Sequence, residues 1–185
     1  MKQVFLLILG LLASTSSWCG GDRSTLLEQE AEQLAQEFAK TLKPQLVNAM
    51  QQGGPVEAVK ICATAAPEIA RELSQNSGWL VKRVSLKARN TSMAIPDNWE
   101  EAILEQFDDR RANGEPAETL SATTQTNSEF RYMKAQGVGP LCLTCHGETV
   151  APNIKQVLDS YYPDDRATGY RLGEIRGAIS LTRPL

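Results

Sequence analysis

The sequence has one histidine, a single Cys-x-x-Cys pair, no block of like charge, and no long apolar run beyond its first twenty residues. Each shortage excludes something. One histidine rules out any site that needs two imidazoles from the same molecule. One Cys-x-x-Cys is half of a tetrahedral zinc site, which takes four protein ligands. A formal charge of −3 dispersed over 185 residues offers no patch for nucleic acid or anionic lipid. Without about 18 consecutive apolar residues, no segment spans a bilayer. No internal repeat and no second domain is visible.

What is present begins with an export signal. Lys2 supplies the positive start, residues 4–12 the apolar run, and residues 13–17 the small side chains a signal peptidase accepts. Residues 1–20 therefore read as a signal peptide and residues 21–185 as one domain. Its length of roughly 165 residues can bury a core without disulfide staples. A bacterial lipobox places a small residue before its cysteine. Trp18 precedes Cys19 here, which favours a periplasmic protein over a lipoprotein.

Thr25 with Glu28 forms a capping-box pattern at the head of a long helix carrying Leu27, Ala31, Leu34 and Phe38, extended by Leu42, Leu46 and Met50. Pro44 predicts a kink, and Gly53-Gly54 followed by Pro55 predicts a stop and a restart. The second helix presents Val59, Cys62, Ala66 and Ile69, with a kink or restart expected at Pro67. Leu80, Val84 and Leu86 alternate as in a half-buried strand. Asp97 and Glu100 cap a helix faced by Trp99, Ile103 and Phe107. Residues 112–127 read as loop, 130–135 and 175–181 as strands, and a short helix is expected after Pro152. The class is α+β, with long helices first and antiparallel strands later.

Cys142-Leu143-Thr144-Cys145-His146 is the c-type haem attachment signature. Two thiols at that spacing add across the two vinyl groups of one porphyrin, and the adjoining histidine reaches the iron. A thioredoxin-type motif would open a helix in a βαβ context, whereas Gly137-Val138-Gly139-Pro140 precedes this one. A plain disulfide leaves the histidine unexplained. His146 is thus one axial ligand, and no second histidine can be the other or serve as a distal acid in a peroxidase-like enzyme. No methionine follows His146; Met50, Met93 and Met133 precede it. Cys62 is either the second ligand or a small buried hydrophobe on a helix stripe.

Four blocks carry a resemblance: Ala58-Val59-Lys60-Ile61-Cys62 with Ala66-Pro67-Glu68-Ile69-Ala70; Gly78-Trp79 to Arg89-Asn90 with Pro96-Asp97-Asn98-Trp99-Glu100; Gly139 to Gly147; and Tyr162-Pro163 to Gly169-Tyr170 with Gly173-Glu174-Ile175-Arg176-Gly177-Ala178-Ile179-Ser180. In this order, over roughly residues 25 to 182, they resemble a single-haem c-type domain family with a PAS-like fold, long catalogued as a domain of unknown function. The resemblance implies a PAS-like antiparallel sheet behind N-terminal helices. It also implies one covalent haem c with His146 and Cys62 as axial ligands. Thr91-Ser92-Met93-Ala94 departs from the Asn/Pro-rich stretch expected after Asn90, and it keeps Met93 as a competing ligand.

A thiolate stabilises ferric iron, so such a site suits low-potential electron transfer or redox sensing, with a separate redox protein as partner. No catalytic residue is expected. The alternative is a five-coordinate, gas-binding haem protein of cytochrome c′ type; about 40 residues after His146, some of them strand-like, argue against its four-helix bundle. Lys82, Arg83, Lys87 and Arg89 form a basic strip, read as a solvated face or as partners of haem propionates. Trp79 and Trp99 read as core anchors, and Tyr161, Tyr162 and Tyr170 as packing residues or hydrogen-bond donors at the haem edge.

Overall fold

The computed structural model describes residues 23–185; the expected export signal and Cys19 lie outside the described residues. The first element, α1 (Arg23–Ser77), is broken at Gly54, which has φ 69° and ψ −167°. Glycine takes that φ without a Cβ clash, and Pro55 behind it has the fixed φ of a first helical turn. The break foreseen at Gly53-Gly54 is therefore present. Pro44 and Pro67 behave otherwise: helical dihedrals continue through both. Proline's φ suits a helix even though its ring forfeits one hydrogen bond. Nor does Thr25 cap α1, which is already helical at Arg23.

The strands β1 (Leu80–Val84), β2 (Ser121–Gln125), β3 (Glu129–Gly137) and β4 (Ile175–Pro184) form one antiparallel sheet in the order β1-β4-β3-β2. Leu27, Ala31, Ala35 and Phe38 of α1 cover one face, against Val81, Phe130, Tyr132 and Leu181, with Trp79 in the same core. The helix α2 (Asn98–Ala112) covers the other face, setting Ile103, Leu104 and Phe107 against Val84, Met133, Ala135 and Ala178. Two covered faces correct the reading of β1. Leu80 and Leu86 are 57% and 40% exposed, while Val81 and Val84 are buried on opposite sides. Residues 112–127, expected as loop, contain a 3₁₀ turn (Ala117–Thr119) and β2. That strand is an edge, paired only with β3, and its Ser-Ala-Thr-Thr-Gln sequence lacks the alternation a buried face imposes. A sheet in this position excludes the four-helix bundle of the cytochrome c′ alternative.

The foreseen capping box starts α2. Asp97 accepts the Glu100 N–H at 3.0 Å, and Glu100 accepts the Asp97 N–H at 2.9 Å. Glu100 is fully buried, and it also accepts from Ser180 Oγ of β4 at 2.6 Å and Lys82 Nζ of β1 at 2.9 Å. With Arg131 of β3 also 3.3 Å away, one carboxylate thus ties the head of α2 to three strands. Lys82 is accordingly an ion-pair partner rather than part of a solvated strip.

Two short helices complete the chain, α3 (Leu143–His146) and α4 (Pro152–Tyr161). Pro152 opens α4 as expected, and Ile154, Leu158 and the following Tyr162 pack on Val59 in the second half of α1. Among the described residues, no helix is long and apolar enough to cross a membrane.

Candidate haem-attachment site

The chemistry-bearing residues lie where the chain between β3 and β4 folds back on the second half of α1. A 3₁₀ turn (Pro140–Cys142) runs straight into α3, so Cys142 and Cys145 stand three residues apart on one helical face. Gly147 ends α3. Its N–H bonds the Leu143 carbonyl at 2.9 Å, and a Cβ there would lie 2.6 Å from that oxygen. The segment after α4 then locks on: Tyr170 N–H donates to the His146 carbonyl, and Gly169 N–H to that of Gly147, both at 3.0 Å.

Two apolar clusters grip this turn. Cys145 packs with Val59 and Ala63 of α1 and with Ile154 of α4, while Cys142 and Leu143 pack with Val138, Ala167 and Tyr170. Cys62 adjoins Ala63 on α1. Cys62, Cys142 and Cys145 are all free. Burial raises the Cys62 thiol, Arg83, Arg89 and Arg176 pull it back, and Cys142 adds to the rise. Burial also raises Cys145, against Arg89 and reinforced by Cys62 and Cys142. Three thiols and three guanidiniums from distant parts of the chain therefore share one neighbourhood.

Among the described residues, no three His, Cys, Asp or Glu side chains converge to hold a bare metal ion. The cysteines and His146 thus do not make a zinc site. A macrocycle fastened by thioethers at its edge needs no such convergence, and this donor set fits one. Two open grooves of about 530 and 550 Å³ lie around Arg111 and Gly173; the first reaches Ser85, Lys87 and Tyr170, and none of the three cysteines or His146 lines either.

His146 is held as a neutral imidazole. Its Nδ1 is 2.7 Å from the Ala167 carbonyl and 3.1 Å from Arg176 Nε. The two contacts cannot both be hydrogen bonds of one nitrogen. A carbonyl only accepts, so Nδ1 carries the proton and donates to Ala167, and the Arg176 guanidinium stands beside it as a charge. Nε2 is left with its lone pair, the arrangement of a metal-ligating imidazole. Burial first, then Arg176 and Arg89, push His146 down to about 2. The ring is therefore neutral throughout the physiological range.

Arg89 secures the orientation. It donates Nε to Asp165 at 3.1 Å and Nη2 to the carbonyls of Cys145 and Ala167, and both members of the Arg89–Asp165 pair are buried. The same Ala167 carbonyl that orients His146 is thus held by Arg89, and Asp165 in turn accepts the Ala167 N–H at 2.8 Å. Arg89 is buried rather than on a solvated face, and these partners make it a clamp on the segments that carry Cys145 and Ala167. Arg83 donates Nε to Gln136 at 3.2 Å.

The remaining sequence candidates separate cleanly. Trp79 is core, and Trp99 lies under the Arg131 guanidinium at 4.4 Å. Tyr170 meets the His146 ring edge-on with centroids 6.3 Å apart, whereas Tyr161 is exposed. Met93 is 55% exposed, and Met133 is buried under α2. Asp165, Ala167 and the charge of Arg176 escaped sequence reasoning, because only the fold brings them to His146.

Residues 21–184 match the family model described as Tll0287-like: Tll0287. A similar solved structure is the crystal structure of the cyanobacterial heme-protein Tll0287. It is 27% identical, with a TM-score of 0.64, and the match covers 88% of this chain and 96% of that one. No curated protein matches. With nearly its whole length matched, the chain belongs to the Tll0287-like family.

Proposed function

We propose that this protein holds one haem c, fastened through Cys142 and Cys145 and ligated by His146 and Cys62, and that it works outside the cytoplasm in low-potential electron transfer or redox sensing. The observation that carries the proposal is the gathering of Cys62 with the Cys142–His146 turn, with His146 Nδ1 committed to the Ala167 carbonyl. The family relationship to a haem protein supports it. The PAS-like reading of the sheet belongs to the same proposal.

Bound haem supplies a one-electron ferric/ferrous couple. The residues of the chain decide where that couple sits and what it can meet. Cys142 and Cys145 fix the group covalently. The neutral His146 presents Nε2 without first shedding a proton. Cys62 offers a thiolate, which favours the ferric state and lowers the potential relative to methionine ligation. Arg83, Arg89 and Arg176 offset that anion within the fold. No residue is assigned a catalytic role, and the electron passes to or from a separate redox protein.

A mediated redox titration of the exported protein tests the reading. One one-electron wave is expected, well below that of a His/Met c-type cytochrome measured beside it. A midpoint equal to the His/Met protein, or no wave at all, contradicts the proposal.

A further inference from the structure

Arg176 on β4 is buried and forms no ion pair among the described residues. Its Nη1 donates to Ser85 Oγ at 2.9 Å and to the Lys87 carbonyl at 3.3 Å, and its guanidinium carbon stands 5.5 Å from the centre of the Tyr170 ring. All of these partners are neutral. The nearest arginine with a carboxylate, Arg89, keeps Asp165 for itself. A buried guanidinium without an anion is costly to hold, and this one is held 3.1 Å from His146 Nδ1, a nitrogen that has no lone pair to offer it. Tyr170, edge-on to His146 and under Arg176, keeps the two side by side.

We propose that Arg176 is a positioning residue whose fixed charge, lodged behind the proximal imidazole, raises the reduction potential of the haem site and sets it against the pull of the Cys62 thiolate. The inference rests on the function proposed above. Reduction adds one electron to ferric iron and no other atom moves; in the test, dithionite supplies that electron through mediators. A unit positive charge held beside the proximal imidazole would favour the reduced state by at least about tenfold at an effective dielectric near 20.

The experiment compares midpoints of the full-length exported protein and three variants. Arg176→Met keeps the bulk and loses the charge. Its ferrous-to-ferric ratio at fixed applied potential should fall at least about tenfold, a shift of about 59 mV or more downward for a one-electron couple. Arg176→Lys should recover most of that shift. Ser85→Ala loosens the Arg176 contact without removing its charge and should leave the midpoint in place. If Arg176→Met fails to accumulate, Arg176→Gln takes its place in the same comparison. An unmoved midpoint in the neutral variant, or an equal downward shift in Arg176→Lys and Ser85→Ala, overturns the role of charge while the wild-type wave leaves the haem reading standing. A wild type with no haem wave overturns both.

Discussion

Replacing Cys62 by alanine is expected to abolish the thiolate features of the ferric absorption spectrum and to raise the midpoint potential by more than about 59 mV, a tenfold change in the ferrous-to-ferric ratio. The direction follows from charge. A thiolate donates electron density and favours the ferric state, so its loss releases the reduced form. The packing consequences are small by comparison, because the substitution removes one sulfur from a half-buried position on α1. Ferric and ferrous spectra of the two proteins, recorded side by side, check the expectation. Identical spectra would make Cys62 a core residue and return Met93 or Met133 as candidate ligands. A high-spin spectrum in both would instead point to an open coordination position and gas binding.

Glu100→Ala is expected to cost about 3–5 kcal/mol of folding stability, the range for removing one partner of a buried ion pair. Glu100 is wholly buried, and its loss strands Ser180 Oγ inside the α2-side core and leaves Lys82 without its carboxylate. Arg131, 3.3 Å from Glu100, keeps only Asp97 and the distant Glu129. Asp97→Ala, which removes the cap but spares the buried carboxylate, should cost about 1 kcal/mol. Urea unfolding of the two variants separates the contributions. A loss below about 1 kcal/mol for Glu100→Ala would show that apolar packing alone holds α2 on the sheet.

Local sequence signals were read well where one residue carries its own geometry. Gly54 breaks α1 because it alone there leaves helical φ and ψ, and Asp97 with Glu100 begins α2 because the capping box is a four-residue device. The Cys142–His146 motif needs no fold to be found, since Cys142, Cys145 and His146 are close in the chain. Periodicity misled where both faces of a strand are covered. In β1, Val81 and Val84 serve opposite cores, so the apparent stripe of Leu80, Val84 and Leu86 was not the buried one. In β2 the polar edge strand left no pattern at all.

The candidate ligands carry their own signals in the sequence, and their supports do not. Cys62 stands out as a cysteine outside the Cys-x-x-Cys pair. The Ala167 carbonyl carries no side-chain signal, and Arg89, 76 residues from its partner Asp165, reads as an ordinary strand cation until the fold closes around it. Arg176 sits in a strand sequence that alternation explains without reference to charge. What orients His146 and sets a charge beside it is therefore a product of tertiary structure, assembled from the segment after β1, the loop after α4 and the start of β4.

The proposed function stands or falls on one haem joined covalently to Cys142 and Cys145. The most direct measurement is the mass of the intact exported protein, followed by mass mapping of the peptide that contains both cysteines. The expected result is a gain of one haem per chain, retained after denaturation and confined to the peptide bearing Cys142 and Cys145, with Cys62 unmodified. Recovery of Cys142 and Cys145 as free thiols, or as a disulfide with each other, in correctly exported protein would contradict it.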